Sequence, residues 1–301
     1  MSEKTNISWC DSTVNWWPGC TKVSPGCQNC FACALAKRYG WCDWGKGQPR
    51  HKFSGAAGQL AAMNRHPLVC DECGNPVDVT GDCKNGCIGA FACGLHRRRI
   101  FHGDLCDIFD ADVPIEWLAE WMDGICAAAD CVHILCTKRP ENFFSRMDAA
   151  LEFGMVNEEW LVSWTDGHPP PNIIVLASVE NQPMAGKRIP EILKIPAACH
   201  GLSLEPLLEP VDLLKVKTGM KFDGAGWALG VGLKWLIIGC ESGPRRRFQD
   251  GYEDAARSLI QQGQAAGVSV FHKQMPIAGR VSRDPAEWPE DLRSQQWPKG
   301  F

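Results

Sequence analysis

The stretch RRIFHGDLCDIFDADVPIEWLAEWMDGICAAADCVHILCTKRPENFFSRM, residues 98–147, decides the fold. A short apolar run ends at polar residues, an amphipathic segment follows, and the pair then repeats. Each apolar run has the length of a buried strand, and each amphipathic segment suits a covering helix. The alternation continues through NIIVLASVEN (172–181), RIPEILKIP (188–196), HGLSLEP (200–206) and KWLIIGCESG (234–243). It closes with DAARSLIQQGQAAG (254–267) and VSVFHKQ (268–274). Repeated strand–helix units build a parallel sheet with helices on its face. With TVNWW (13–17) as the first, about seven strands result, which favours a full or partial α/β parallel barrel over an open sheet.

In such barrels the loops after the strand C-termini carry the active site. The expected tips are Asp104 and Asp107, Thr137-Lys138-Arg139, Ser178 with Glu180 and Asn181, Glu205, Glu241-Ser242, and His272-Lys273-Gln274. A single polar tip is explained by strands ending at solvent; six in series point to a site.

The N-terminal third is different in kind, rich in Cys, Gly and Trp and poor in periodicity, and reads as loops and short helices. The chain of 301 residues carries 17 cysteines and a net charge of -4. That charge argues against a generally basic nucleic-acid coat while leaving room for a local basic groove. The N-terminus MSEKTNISWCDS shows no charged-then-apolar leader, and no run approaches the roughly 20 apolar residues of a membrane span. The chain therefore reads as intracellular and cytoplasmic, where thiols stay reduced and clustered cysteines hold metal or do chemistry more often than they form disulfides.

Two cysteine clusters stand out. CDECGNPVDVTGDCKNGC places Cys70, Cys73, Cys83 and Cys87 as two close pairs. Four thiolates in this arrangement suit tetrahedral structural zinc in a small knuckle that the metal itself folds. The segment after it carries Arg97, Arg98 and Arg99, either a phosphate contact or a solvated basic run. The first cluster, in WWPGCTKVSPGCQNCFAC (16–33), has Cys20, Cys27 and Cys30, with Cys33 one step further on. Three thiolates suit a 4Fe-4S cluster with one iron open; four suit a second zinc, and spacing leaves both readings standing.

Several ordered blocks carry a family resemblance: NWWPGCTKVSPGCQNC, RRRIFHGDLCDIFDADVP, LCTKRPENF, ASVENQ with KRIPEILKIPAA, LSLEPLLEPVDL, WLIIGCESGP and AAGVSVFHKQ. Together they resemble a phage- and prophage-borne family similar to radical S-adenosylmethionine enzymes such as spore photoproduct lyase. The resemblance covers nearly the whole chain apart from a zinc-like insert around residues 64–97. It implies one partial barrel over residues 1–301, with S-adenosylmethionine on a 4Fe-4S cluster held by Cys20, Cys27 and Cys30. The chain departs from the common radical-enzyme spacing: six residues separate the first two cysteines, Asn29 stands where an aromatic is usual, and Cys33 is an extra thiol. Where many relatives read Gly-Gly-Glu-Ser-Gly, this chain has Cys240 in the second place, either a packing residue or a hydrogen donor.

Position on the implied barrel assigns the remaining roles. Asp104 and Asp107 are expected at the amino group or ribose of S-adenosylmethionine, and Ser178, Glu180 and Asn181 at its ribose and carboxylate. Glu205 is expected among the cofactor-binding residues, where the substrate side begins. Lys138, Arg139, Glu241, His272 and Lys273 are expected on the substrate side; Cys240, Glu241, Lys138 and His272 are the catalytic candidates. The alternative for Glu205 and Glu241 is a structural salt bridge to Lys138 or Arg139. Phage context, the likeness to spore photoproduct lyase and two arginine triplets (Arg97–Arg99 and Arg245, Arg246, Arg247) point to a base in phage DNA, such as a hypermodified thymine. Trp16, Trp17, Trp41 and Trp44 are candidates to stack on it. An external electron donor is a further expected partner. A non-catalytic nucleic-acid or protein-binding module, or radical chemistry on a peptide or small metabolite, are the competing readings.

Overall fold

The computed structural model describes residues 4–77, 94–218, 229, 232–243 and 245–301. Strand β1 (Ser12–Val14) is followed by helices α1 (Phe31–Tyr39) and α2 (Ala56–Asn64). A ribbon of β2 (Leu68–Cys70) and β3 (Leu95–Arg97) leads into β4 (Arg99–His102). Strand–helix units follow: α3 (Ile115–Ala127), β5 (Val132–Thr137), α4 (Phe143–Phe153), α5 (Glu158–Thr165) and β6 (Ile173–Ser178). Then come α6 (Gln182–Ile192), β7 (Cys199–Leu204), β8 (Leu233–Gly239), α7 (Tyr252–Ala265), β9 (Ser269–Ile277) and β10 (Arg280–Ser282).

One sheet runs β1-β4-β5-β6-β7-β8-β9-β10. Neighbours from β1 to β9 pair in parallel, and β10 folds back antiparallel on β9. The edge strands β1 and β10 do not pair, so the curled sheet is a half-barrel, in keeping with the expected partial barrel.

Strand β6, IIVLAS, is buried along its whole length, as a parallel strand covered on both faces must be. Its side chains alternate between two cores. Ile173, Val175 and Ala177 pack beneath the helices, while Ile174 and Leu176 point inward with Ile134, Trp235, Ile237 and Phe271. Trp9 closes this inner core edge-on to Trp235 at 6.0 Å, and Trp297 donates from Nε1 to the Trp9 carbonyl at 3.2 Å. Large rings thus plug the interior, and the polar residues gather at the C-terminal ends of the strands.

On the helix side, Trp121 Nε1 donates to His102 Nδ1 at 2.8 Å, His102 pairs through Nε2 with His133 Nδ1 at 2.8 Å, and His133 Nε2 reaches the Ala128 carbonyl at 2.8 Å. Because an indole only donates, the chain fixes both tautomers and leaves both rings neutral. Burial pushes both imidazoles down, His133 to about 4.

In the ribbon, Cys70 lies opposite Leu95 and Leu68 opposite Arg97. Just past β2, Gly74 adopts φ 65°, where glycine pays no Cβ penalty, and its N–H returns to the Cys70 carbonyl at 2.9 Å. Cys70 and Cys73 therefore share one tight turn, while Cys83 and Cys87 of the expected zinc knuckle lie outside the described residues. No described helix is long and apolar enough to cross a membrane.

Candidate functional site

A cavity opens at the C-terminal ends of β4–β7 and β9, with about 880 Å³ of empty space that includes open solvent. Cys20, Cys27 and Cys30 border it together, with Cys106 and Cys136 across from them. All described cysteines are free thiols. Cys33 does not border this cavity; it faces a second cleft, and Cys30 forms a wall of both. Cys30 is the residue that caps α1. Burial raises its thiol, while the N–H groups of Cys33 and Ala32 and the nearby Lys138 ammonium oppose that rise. Cys20 is pushed well up by burial and by Asp107, against which Arg139 Nη1 donates to its sulfur at 3.3 Å.

Among the described residues no three His, Cys, Asp or Glu side chains converge closely enough to hold a metal ion. A cubane takes each thiolate on a separate iron, so its ligands stand further apart than those around a single ion. Cys20, Cys27 and Cys30 share one cavity wall, which makes them the described thiols available to such a group. N–H groups aimed at Cys30 and a guanidinium on Cys20 oppose, without overcoming, the rise that burial imposes on both thiols.

The strand tips hold the cysteine loop in place. From the loop after β4, Asp110 accepts from Thr21 N–H at 3.2 Å, and Leu105 accepts from Gly19 N–H at 3.0 Å. After β5, Arg139 bonds the Thr21 carbonyl as well as Cys20. After β6, Glu180 accepts from Gly26 N–H at 3.1 Å and pairs with Arg188 at 2.7 Å. After β8, Glu241 forms a forked pair with Arg247, at 2.6 Å from Nη2 and 3.0 Å from Nε, and accepts from Asn29 Nδ2 at 3.1 Å.

Several expected ligands are therefore occupied. Asp107 receives Thr137 Oγ1 at 2.7 Å, Lys138 N–H at 2.9 Å and Arg139 Nη1 at 2.9 Å, and shapes the β5 tip although it borders the cavity. Glu180 is fully buried; burial works against its charge, yet Ser24, Arg188 and Gly26 together hold its carboxyl below the usual range. Asn181 caps α6 by accepting from Met184 N–H at 3.1 Å. Glu241 is likewise held low against burial by Arg247 and Asn29. The salt-bridge alternative holds for Glu241 and Glu205 with different partners: Arg247 for the first, and Lys273 at 2.8 Å for the second.

His272 is displaced from the mouth. It is fully buried, with Nδ1 on the Leu292 carbonyl at 2.8 Å and Nε2 on Tyr252 Oη at 3.1 Å, and burial pushes it down to about 4. Its neighbour Lys273 points the other way, into the cavity. Cys240 packs in the helix-side core, and burial pushes its thiol up to about 12, which agrees with the packing role.

What faces the cavity is Asp104, Cys136, Lys138, Ser178, Ser203, Glu205 and Lys273. Burial raises Asp104, opposed by the 2.5 Å hydrogen bond from Asn15 Nδ2. Burial works against the Lys138 charge, but Cys27, Cys136 and Glu180 hold its ammonium above the usual lysine range. The Glu205–Lys273 pair spans the glycine of β8: a Cβ on Gly239 would lie 2.6 Å from Glu205 Oε1. A wider vestibule shares Ile7, Phe101, Asp104, Glu205 and Lys273 with the cavity and adds Phe31, Trp41, Lys4 and Arg283.

Residues 4–297 match the model of one protein family. The chain belongs to the family described as "Protein of unknown function (DUF5131)". No curated protein and no solved structure matches the chain.

Within this DUF5131 chain the arginine triplets are structural in the main. Arg97 donates to the Asp130 carbonyl at 2.8 Å and to Ala129 at 2.6 Å, Arg98 is buried, and Arg99 lies 4.6 Å over the Trp297 ring. Burial of Arg98 and Arg99 supports neither the phosphate contact nor the solvated run expected of them, and half-buried Arg97 is engaged with backbone carbonyls. Arg247 is taken by Glu241, while Arg245 and Arg246 are both exposed, Arg246 donating to the Gly243 and Gly279 carbonyls at 3.1 Å. Trp16 and Trp17 are core residues against Trp121, at 5.1 and 4.8 Å, whereas Trp44 borders the cavity and Trp41 the vestibule. Sequence reading missed Ile7, Trp9, Phe101, Cys106, Cys136 and Ser203 of the cavity wall. Strand parity is the signal that marks three of them: Phe101, Cys136 and Ser203 share the inward side with Ser178 and Lys273.

Proposed function

We propose that this chain is a radical S-adenosylmethionine enzyme that modifies or rearranges a nucleic-acid base, a hypermodified thymine in phage DNA being the substrate the resemblance favours. The observation that carries the reading is the shared wall of Cys20, Cys27 and Cys30 at the mouth of a parallel half-barrel. Cys20, Cys27 and Cys30 would hold a 4Fe-4S cluster there, which would supply one-electron reduction of S-adenosylmethionine to the site.

The chain's own residues supply the rest. Asp104, Ser178 and Ser203 offer polar groups to the ribose and aminocarboxylate of the cofactor on the cavity wall. The vestibule receives the substrate: Phe31 and Trp41 present ring faces, and Lys4 and Arg283 carry positive charge at its rim. Base chemistry at such depth requires the nucleotide to leave the duplex stack. Buried aromatic plugs below the cavity keep water from reaching it through the barrel floor. The insert beginning at the Cys70–Cys73 turn is proposed as a zinc knuckle completed by Cys83 and Cys87.

The test is anaerobic reconstitution and reduction of the protein, then incubation with S-adenosylmethionine and base-modified oligonucleotides. Release of 5′-deoxyadenosine, carrying deuterium from a labelled base substituent, is expected. Complete failure to cleave S-adenosylmethionine, with or without DNA, overturns the proposal.

A further inference from the structure

Cys30 stands between two openings. One is the cavity; the other is a cleft of about 1030 Å³ of empty space including open solvent, lined by Lys22, Lys37, Arg245, Gln28, Asn29 and Cys33 among others. Among the described residues three cations border this cleft and no carboxylate does. All three are exposed, on a chain whose net charge is -4. The cleft is built rather than incidental. Lys22 Nζ donates to the Gln28 carbonyl at 3.0 Å, and Asn29 Nδ2 donates to the Arg245 carbonyl at 2.7 Å, joining the cysteine loop to the loop after β8. Helix α1 flanks the cleft, lining it with Cys33, Ala34 and Lys37 along one face, and Lys37 is exposed.

We infer that this basic cleft is the docking surface for an acidic one-electron donor protein of the flavodoxin type. The inference rests on the iron–sulfur reading above. A cluster on Cys20, Cys27 and Cys30 has to be reduced from outside, and Cys30 is the ligand thiol that the cleft exposes. The donor's anionic flavin hydroquinone would give up one electron to become the neutral semiquinone, with no proton released, and an oxidised cluster held by these thiols would accept it; no bond of this chain is made or broken. Electron-transfer encounters bury little surface and depend on charge complementarity for orientation and on-rate, which three rim cations supply. The same cations would also attract a phosphate backbone. Among the described residues the cleft lining contains no aromatic side chain for a base to stack on, whereas the vestibule has Phe31, Trp41 and Phe101. The two openings thus divide the work: nucleic acid at the vestibule, electrons at the cleft.

The test uses a purified acidic flavodoxin and the double variant Lys37→Glu, Arg245→Glu, neither residue bordering the cavity. Binding is measured by fluorescence titration on the protein as purified, before any cluster is loaded, and by carbodiimide crosslinking with the coupled lysines located by mass spectrometry. The wild type is expected to bind in low salt, to lose affinity as salt is raised, and to crosslink through Lys22 and Lys37. The double variant is expected to bind at least about tenfold more weakly with an unchanged melting temperature. In loaded protein, flavodoxin-driven cleavage of S-adenosylmethionine should fall by a similar factor while dithionite-driven cleavage stays the same. Equal flavodoxin binding by both proteins overturns the inference. So does a variant that loses affinity for a DNA oligonucleotide and keeps its affinity for flavodoxin. Absence of dithionite-driven cleavage in the wild type would instead count against the radical-enzyme reading, with the binding arm still judging the cleft.

Discussion

Replacing Arg188 with methionine leaves the Glu180 carboxylate stranded beneath the cysteine loop. The two side chains are 1% and 0% exposed and meet at 2.7 Å, so water cannot take over the role of the lost guanidinium. Removing one partner of such a buried pair costs about 3–5 kcal/mol, most of it the penalty of an uncompensated charge. The companion variant Glu180→Gln, Arg188→Met removes the charge while keeping an oxygen for Gly26 N–H, which now donates to Oε1 at 3.1 Å. It should recover all but about 1–1.5 kcal/mol of that loss. Guanidinium denaturation of the three proteins at pH 7 measures both numbers. The pH dependence provides a second check. Glu180 is held below the usual carboxylate range, so its contribution is present above its ordinary value of 4.5 and is lost as pH falls through its folded value. The gap between wild type and Arg188→Met should therefore close in acid. A double variant as unstable as the single one would refute the reasoning, because the loss would then come from packing rather than charge.

Buried imidazoles set a different pH window. His133 and His272 are pushed from 6.5 to about 4 by burial, so each is neutral in the fold and protonated in the unfolded chain between those values. Stability is full above pH 6.5 and should fall by roughly 1.4 kcal/mol per pH unit per imidazole on the way to pH 4, as read from denaturation midpoints. Cys33→Ala should keep its full iron content after reconstitution, and Cys30→Ala should lose the cluster, measured by iron assay and absorbance. Gly239→Ala places a Cβ 2.6 Å from Glu205 Oε1 and 3.1 Å from its Cγ, forcing that carboxylate away from Lys273. The protein should remain folded while the rate of 5′-deoxyadenosine release drops by roughly 10²-fold.

The strand–helix alternation made the half-barrel legible because parallel strands buried on both faces are long apolar runs that little else explains. Each polar tip was visible too, but which way it points was not. His272 and Lys273 are adjacent in sequence and lie on opposite faces of β9, so one is a core imidazole and the other borders the cavity. Parity of this kind can be read only once the register of the whole strand is known. Glu180 and Asn181 looked like cofactor ligands and Glu241 like a catalytic residue, yet all three act as braces, since their partners Arg188, Met184 N–H and Arg247 lie a few residues downstream, in helices and loops whose placement the local pattern does not fix. The run Arg97–Arg99 misled for a similar reason: it leads from the ribbon into β4, where two of its three side chains are buried. Cys33 was ambiguous by spacing; α1 turns it toward the outer cleft, away from the cavity that Cys20, Cys27 and Cys30 border.

The measurement that tests the central claim most directly is the metal content of anaerobically prepared protein, combined with electron paramagnetic resonance after reduction. About four irons and four sulfides per chain, with a reduced-cluster signal that disappears in Cys20→Ala, Cys27→Ala and Cys30→Ala, is the predicted result. A colourless protein that carries zinc alone and takes up no iron on reconstitution would contradict it.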